Sequence, residues 1–208
     1  MKSYIIHFIR HGSIDDTLAG KYIGTTDAPL SDRGRMDLRK LDYEYKYPGT
    51  QVVFTSPLKR CTETAKILYP EQNPLVIDNL SECNFGEWEG KTADELKNDP
   101  DFKKWLAGDS SVKPPRGESN VDFTRRVCKM FESIVEGLMK TGTTESVIVT
   151  HGGVIMTLLA VYGLPQAKPF EWTMDNGFGY SLRVTPVLWQ RDKVCEVFQT
   201  IPLPSDNG

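Results

Sequence analysis

Histidine is scarce in this sequence. Its 208 residues include only three, His7, His11 and His151. Cysteine is nearly as sparse: Cys61, Cys83, Cys128 and Cys195 lie far apart, with no CxxC pair. That spacing argues against a zinc finger or a disulfide framework and reads as reduced thiols in a cytoplasm. Basic charge is not in excess either, with 25 Lys+Arg against 28 Asp+Glu. A general nucleic-acid or anionic-membrane surface needs such an excess, so neither partner is expected. Long apolar runs are also missing. Tyr4–Ile9, the longest near the start, is broken by His7 and is too short for a secretory signal or a membrane span.

What remains is the composition of an ordinary globule, 39% hydrophobic and 25% charged. A chain of this size can bury roughly 70% of its unfolded surface. Strand-like runs alternate with helical patterns. Tyr4–Ile9, Gln51–Thr55, Leu75–Asp78 and Glu145–Thr150 read as strands, the last apolar enough for the inside of a parallel sheet. Tyr180–Thr185 and Val194–Thr200 read as two more, joined by a tight turn. Ser31 caps a helix reaching about Tyr45, and Ser56-Pro57 opens another to about Tyr69. A helix over Asn120–Lys140 carries Val127, Met130, Phe131, Ile134, Val135, Leu138 and Met139 on one face, and Gly142 suits its stop. A further helix runs from about Val154 to Tyr162. This alternation predicts an α/β fold, a three-layer sandwich whose mostly parallel sheet has helices on both faces. Asp109–Ser119 is a surface loop, residues 1–208 form one domain, and Pro202–Gly208 is a frayed tail.

In open α/β sheets, ligands bind beyond the carboxyl ends of the strands. Arg10-His11-Gly12 follows the first strand and Thr55-Ser56-Pro57, with Arg60, the second. Ser81-Glu82 comes after the third, and His151-Gly152-Gly153 after the fourth. Each alone has a plain structural reading as a turn, a salt bridge or a solvated helix residue. Together they suit a phosphoryl group. Arginine offers a planar fork of donors to phosphate oxygens. Glycines at a helix N-terminus let backbone N–H groups approach an anion. A neutral histidine nitrogen is a nucleophile, and a nearby carboxyl can protonate a departing alkoxide and later activate water.

The motifs go further. Ile9-Arg10-His11-Gly12, Pro29-Leu30-Ser31 with Gly34, Ser56-Pro57-Leu58-Lys59-Arg60 with Thr64-Ala65, Leu80-Ser81-Glu82 with Phe85–Gly90, and Val149–Gly153 stand in one order and spacing. In these segments the chain resembles the histidine phosphatase superfamily, phosphoglycerate-mutase-like branch. The resemblance implies a two-step transfer in which His11 becomes phosphohistidine. It implies that Arg10, Arg60 and His151 hold the phosphate and that Glu82 is general acid, then base. It also implies that Thr17, Gly24 and Gly152 border the substrate, and that no metal or other cofactor takes part. The family usually has an acidic residue, then Thr or Ser, and an Asn after His-Gly; this chain has Ser13, Ile14 and Thr17 there. The Thr17 hydroxyl can donate to phosphate in place of the Asn, but Ile14 cannot.

The compact Gly86–Gly90 segment looks more like the phosphatases of the branch than its mutases. Phe85–Gly90, Pro114–Ser119, and Gly163-Leu164-Pro165 leading to Asp175-Asn176-Gly177 are similar to the alpha-ribazole phosphatases, which act late in cobalamin assembly. The expected activity is therefore metal-independent hydrolysis of a small-molecule phosphate ester, with alpha-ribazole 5′-phosphate a candidate. Phosphoglycerate mutase-type transfer, a broad sugar phosphate phosphatase and a catalytically silent phosphoester-binding module are the alternatives. Tyr22, Trp88, Trp105, Phe170 and Trp172 are expected to pack under loops rather than stack on a substrate ring. Glu118 and Ser119 read either as a lid or as the start of the next helix. His7 is expected to pack in its strand, too far along it from His11 to share a metal. The chain is expected to be a cytoplasmic monomer or homodimer.

Overall fold

The computed structural model describes residues 2–204. In chain order its elements are β1 (Tyr4–Arg10), α1 (Asp32–Glu44), β2 (Tyr45–Lys46), β3 (Val52–Thr55), α2 (Lys59–Leu68), β4 (Leu75–Val76), α3 (Ala93–Leu96) and α4 (Pro100–Leu106). They continue with α5 (Asn120–Thr141), β5 (Glu145–Thr150), α6 (Gly152–Tyr162), β6 (Gly163–Leu164), β7 (Gly179–Val184), α7 (Pro186–Asp192), β8 (Cys195–Ile201) and β9 (Leu203–Pro204). A seven-stranded sheet has the order β4-β3-β5-β1-β7-β8-β6. β4, β3, β5 and β1 pair in parallel, whereas β7 runs antiparallel to both of its neighbours. The expected α/β class and mostly parallel sheet are what the chain forms.

Side-chain alternation along the central strands divides the core. Ile6, Phe8 and Ile148 pack with α5, α6 and Trp189 of α7. Ile9, Val147 and Val149 face the other way, against Leu38 of α1 and Cys61, Ala65 and Leu68 of α2. Period-two patterning thus buries both faces of one sheet, which requires helices on each. The stripe foreseen on α5 is buried from Phe123 to Leu138, and Gly142 ends the helix in the left-handed conformation at φ 76°. His7 is buried in β1 with Nδ1 2.8 Å from Ser181 Oγ. A third, smaller cluster joins Trp88, Leu96 and Phe102 with Tyr22, Phe85 and Trp105 beneath the loops. Trp172 packs on Tyr180, and Phe170 stays exposed.

Four expectations need correcting. No tight turn joins the last two long strands: Pro186 starts α7 instead, and Trp189 anchors that helix on the rings of Phe131 and Tyr162. α2 begins at Lys59, not at Pro57; Leu58 is its N-cap, and of the backbone N–H groups there Ser56 Oγ accepts only that of Leu58, at 3.4 Å. The Lys59 N–H donates to Asp27 Oδ1 at 2.7 Å, so a distant segment supplies the helix's first acceptor. The Pro202–Gly208 tail is not wholly frayed, since Leu203–Pro204 pairs with Tyr45–Lys46; residues 205–208 lie outside the described residues. Gly152, rather than Val154, opens α6. Among the described residues, no helix is long and apolar enough to cross a membrane.

Phe131 is fully buried where the rings of Phe8, Tyr162 and Trp189 meet. Phe131→Ala is expected to lower unfolding stability by about 3–5 kcal/mol, through lost transfer energy and a residual cavity. Urea titration measures this directly. A loss below about 1 kcal/mol would mean that the three rings close over the gap.

Candidate active site

The parallel register of β1 with β5 places Arg10 opposite Thr150, and the next peptide continues it: the His11 N–H donates to Thr150 O at 3.0 Å. On the other side of β5, the Ser56 N–H donates to Val149 O at 3.1 Å. Three strands therefore end level, and the segments bearing His11, Ser56 with Arg60, and His151 emerge side by side. The Thr150 hydroxyl donates to Leu80 O at 2.7 Å and brings the Glu82 loop to the same edge. β7 runs the other way, so its N-terminal end lies there too. It delivers residues 173–178 to the crevice.

His11 lies 9% exposed at the base of this crevice. Its Nδ1 is 2.7 Å from Gly12 O. A carbonyl can only accept, so Nδ1 carries the proton of the neutral ring and Nε2 keeps its lone pair. Burial, then the adjacent Arg60 charge, lowers the His11 pKa to about 3, despite the opposing Gly12 bond. The ring is accordingly neutral at physiological pH. The Asn176 side-chain amide donates to His11 O at 2.8 Å and steadies the same peptide.

The His151 ring stands edge-on to His11, with centroids 5.2 Å apart. Arg60 Nε–H donates to His151 Nδ1 at 3.3 Å, which leaves the proton on Nε2, 2.8 Å from Ser56 Oγ. Both nitrogens are thus engaged by protein. Burial, followed by the charges of its neighbours, holds the His151 pKa well below the ordinary imidazole range.

Two arginines supply the positive charge. Arg60, 1% exposed, also donates to Thr26 O at 2.8 Å and Gly24 O at 2.7 Å. Three of its five N–H groups are spent on these bonds, leaving one on each terminal nitrogen. Arg10 donates from Nη1 to Met174 O at 2.8 Å, while its buried Nε has no partner. An unpaired buried guanidinium N–H is costly unless a ligand oxygen satisfies it. Glu82 faces the arginines. Its Oε2 accepts from Gly153 N at 2.9 Å and its Oε1 from Cys83 N at 3.0 Å. Burial raises its pKa above the usual carboxylate value, outweighing those bonds and the two arginines. A Cβ at Gly153 would collide with this carboxyl group, so any side chain there would push Glu82 off its amide bonds.

These groups surround a cavity of about 540 Å³, whose walls include Arg10, His11, Arg60, Glu82, Gly152 and Asn176. Three of the expected site residues do not line it. His151 is fully buried, edge-on to the His11 ring, with both nitrogens occupied. Thr17 is exposed, in a short turn pinned by Asp15, whose Oδ1 accepts the Thr17 N–H at 2.8 Å. Gly24 instead offers its carbonyl to Arg60. Ser13 and Ile14, the other departures from the family pattern, do line the wall. The Glu118-Ser119 pair forms no lid: Ser119 caps α5, and Glu118 grips Arg126 at 2.8 Å. Arg126 in turn donates to Ser81 O and Glu82 O, so it braces the Glu82 loop.

The family model described as histidine phosphatase superfamily (branch 1) matches residues 6–195. A Salmonella typhimurium protein named adenosylcobalamin/alpha-ribazole phosphatase is 25% identical over 198 residues, covering 93% of this chain and 92% of its own. Phosphoserine phosphatase 1 of Hydrogenobacter thermophilus is 29% identical over 174 residues, covering 81% of each chain. The solved structure of the alpha-ribazole phosphatase from Shigella flexneri superposes with a TM-score of 0.78 over 98% of this chain and all of that one. At 22% identity that likeness speaks for the fold alone. With a family model spanning nearly its whole length, the chain belongs to the histidine phosphatase superfamily, branch 1, and is a phosphatase of that family.

Proposed function

We propose that this phosphatase hydrolyses a small-molecule phosphate monoester through a phosphohistidine on His11, without a metal. The observation that carries this reading is the fixed tautomer of His11: Nδ1–H is tied to Gly12 O, so a neutral Nε2 is left for phosphorus. In the first step, Nε2 attacks phosphorus and the bond to the ester oxygen breaks. The Glu82 carboxyl gives its proton to the departing alkoxide. In the second step, water attacks the phosphohistidine, Glu82 takes a proton from it, and the P–N bond breaks to release inorganic phosphate. Arg10 and Arg60 offer N–H groups to the phosphoryl oxygens, with the N-terminus of α6 at Gly152 beside them. Such prearranged donors are worth most where charge develops. His151 supports this set from behind, by holding Arg60 and flanking the His11 ring.

For the substrate we propose alpha-ribazole 5′-phosphate. Support comes from the Salmonella typhimurium relative, which aligns over nearly the full length of both chains. The cavity, with Tyr22 and Phe85 on its wall, has room for a leaving group beyond the phosphoryl end. Phosphoserine is the second reading, on the strength of the Hydrogenobacter thermophilus relative. Initial rates of phosphate release from the two esters separate these readings. The expected result is faster release from alpha-ribazole 5′-phosphate, undiminished by a chelator. Faster release from phosphoserine would overturn the choice of substrate. Interconversion of phosphoglycerate isomers with little free phosphate would replace hydrolysis by a mutase reaction.

Glu82 is expected to act in both steps, which gives its substitution a distinctive signature. Nitrophenolate leaves without a proton, so Glu82→Gln with p-nitrophenyl phosphate is expected to release a rapid burst and then turn over slowly. With an alkyl phosphate the first step itself is expected to slow by about 10²–10⁴-fold. Equal slowing of the burst for both esters would contradict the assignment.

The acid form of Glu82 is the active one for leaving-group protonation. For an alkyl phosphate, kcat is therefore expected to fall on the alkaline side, as pH rises through the raised Glu82 pKa. Glu82→Gln removes that limb. A limb that survives the substitution would belong to another group.

A further inference from the structure

Arg60 is held by a loop that is itself held from the opposite side. Gly24 and Thr26 turn their carbonyls onto the Arg60 guanidinium. The amides of Gly24, Thr25 and Thr26 turn to a single carboxylate, Glu89. Gly24 N donates to Glu89 Oε1 at 3.0 Å and Oε2 at 3.1 Å, Thr25 N to Oε1 at 2.9 Å, and Thr26 N to Oε2 at 3.4 Å. The Thr26 hydroxyl adds the shortest of these bonds, 2.7 Å to Oε2. Consecutive backbone amides converging on an anion form a nest, and here a side chain of the same protein fills it. Gly24 is matched to this arrangement, since a Cβ there would collide with both Cys83 O and the Glu89 carboxylate.

The geometry points to Glu89 as a positioning residue for phosphate binding: through the 24–26 loop it fixes the direction of the Arg60 guanidinium. The inference rests on the phosphoryl-binding reading of Arg60 given above. Arg60 keeps only two N–H groups for a ligand, so a small rotation misdirects both. The two carbonyls set that rotation, and Glu89 sets the carbonyls. Glu89 also leaves a negative charge near the buried guanidinium, which favours its charged state. Glutamine in its place matches the size but brings an amide group toward backbone N–H groups, so at least one of these bonds is lost.

The test is a double-mutant cycle read by binding of inorganic phosphate, followed by titration calorimetry on the full chain. Glu89→Gln is expected to weaken phosphate about tenfold, the scale of one charge-assisted hydrogen bond. Arg60→Lys is expected to weaken it more. If Glu89 acts through Arg60, the double variant binds within about twofold of Arg60→Lys alone. Full additivity of the two losses would overturn the proposal, as would native affinity in Glu89→Gln. Glu89→Asp provides a second reading, also if Glu89→Gln fails to fold, because it keeps the charge at shorter reach. It is expected to keep more phosphate affinity than Glu89→Ala, and an equal loss would overturn the proposal. Because phosphate binding needs no turnover, this result is independent of whether a given ester is hydrolysed. A chain that binds no phosphate even as wild type would instead contradict the phosphoryl-site reading itself.

Discussion

The pairing of β1 with β5 is the constraint on which the site depends. Its register sets Arg10 against Thr150 and joins His11 N–H to Thr150 O, so that two histidines 140 positions apart meet with ring centroids at 5.2 Å. Both strands bury their apolar residues in the core, while Arg10 and His11 at the end of β1 and Gly152 and Gly153 beyond β5 line the crevice. Burial of Ile9, Val147 and Val149 therefore fixes the positions of His11 and His151 as well as the fold. A slip of one residue would turn every side chain on β1 to the wrong face.

Burial also sets the chemistry. The three histidines all have lowered pKa values, and in each case desolvation is the largest cause. For His11 this keeps the ring neutral, as the proposed nucleophile requires, while the same low-dielectric surroundings keep Glu82 protonated to higher pH than an exposed carboxyl. These opposite shifts on His11 and Glu82 match the proposed roles of nucleophile and acid. The buried Arg60 guanidinium and the half-buried one of Arg10 would be costly in such surroundings without acceptors. Backbone carbonyls at Gly24, Thr26 and Met174 provide these, leaving some N–H groups over.

How much of this was legible in the sequence follows from where each residue sits. Arg10, His11, Arg60, Glu82 and His151 stood out because parallel strands carry their polar ends to one edge, and a search after each strand finds them. Asn176 and Met174 escaped that search because they precede β7, the antiparallel strand. Pro57 makes Ser56 read as a helix cap, but its shortest bond, 2.8 Å, is to His151 Nε2, against 3.4 Å to the Leu58 N–H. Thr17 stands where the family pattern has its Asn, which places it at the phosphate by resemblance, but Asp15 winds that segment into a turn that leaves it exposed. α7 was missed because Trp189 stabilises it by tertiary packing on Phe131 and Tyr162, which no local pattern reveals. The Gly86–Gly90 motif was visible, but what Glu89 holds depends on a loop more than sixty residues away.

The proposed covalent step on His11 can be tested directly. The most direct measurement is rapid quenching of the enzyme during turnover of a phosphate ester, followed by mapping of the acid-labile phosphoryl group by mass spectrometry under alkaline conditions. The expected result is phosphate on His11, formed and lost at rates compatible with turnover and absent from His11→Ala. Undiminished turnover in His11→Ala, or a phosphoryl group trapped on another residue, would contradict it.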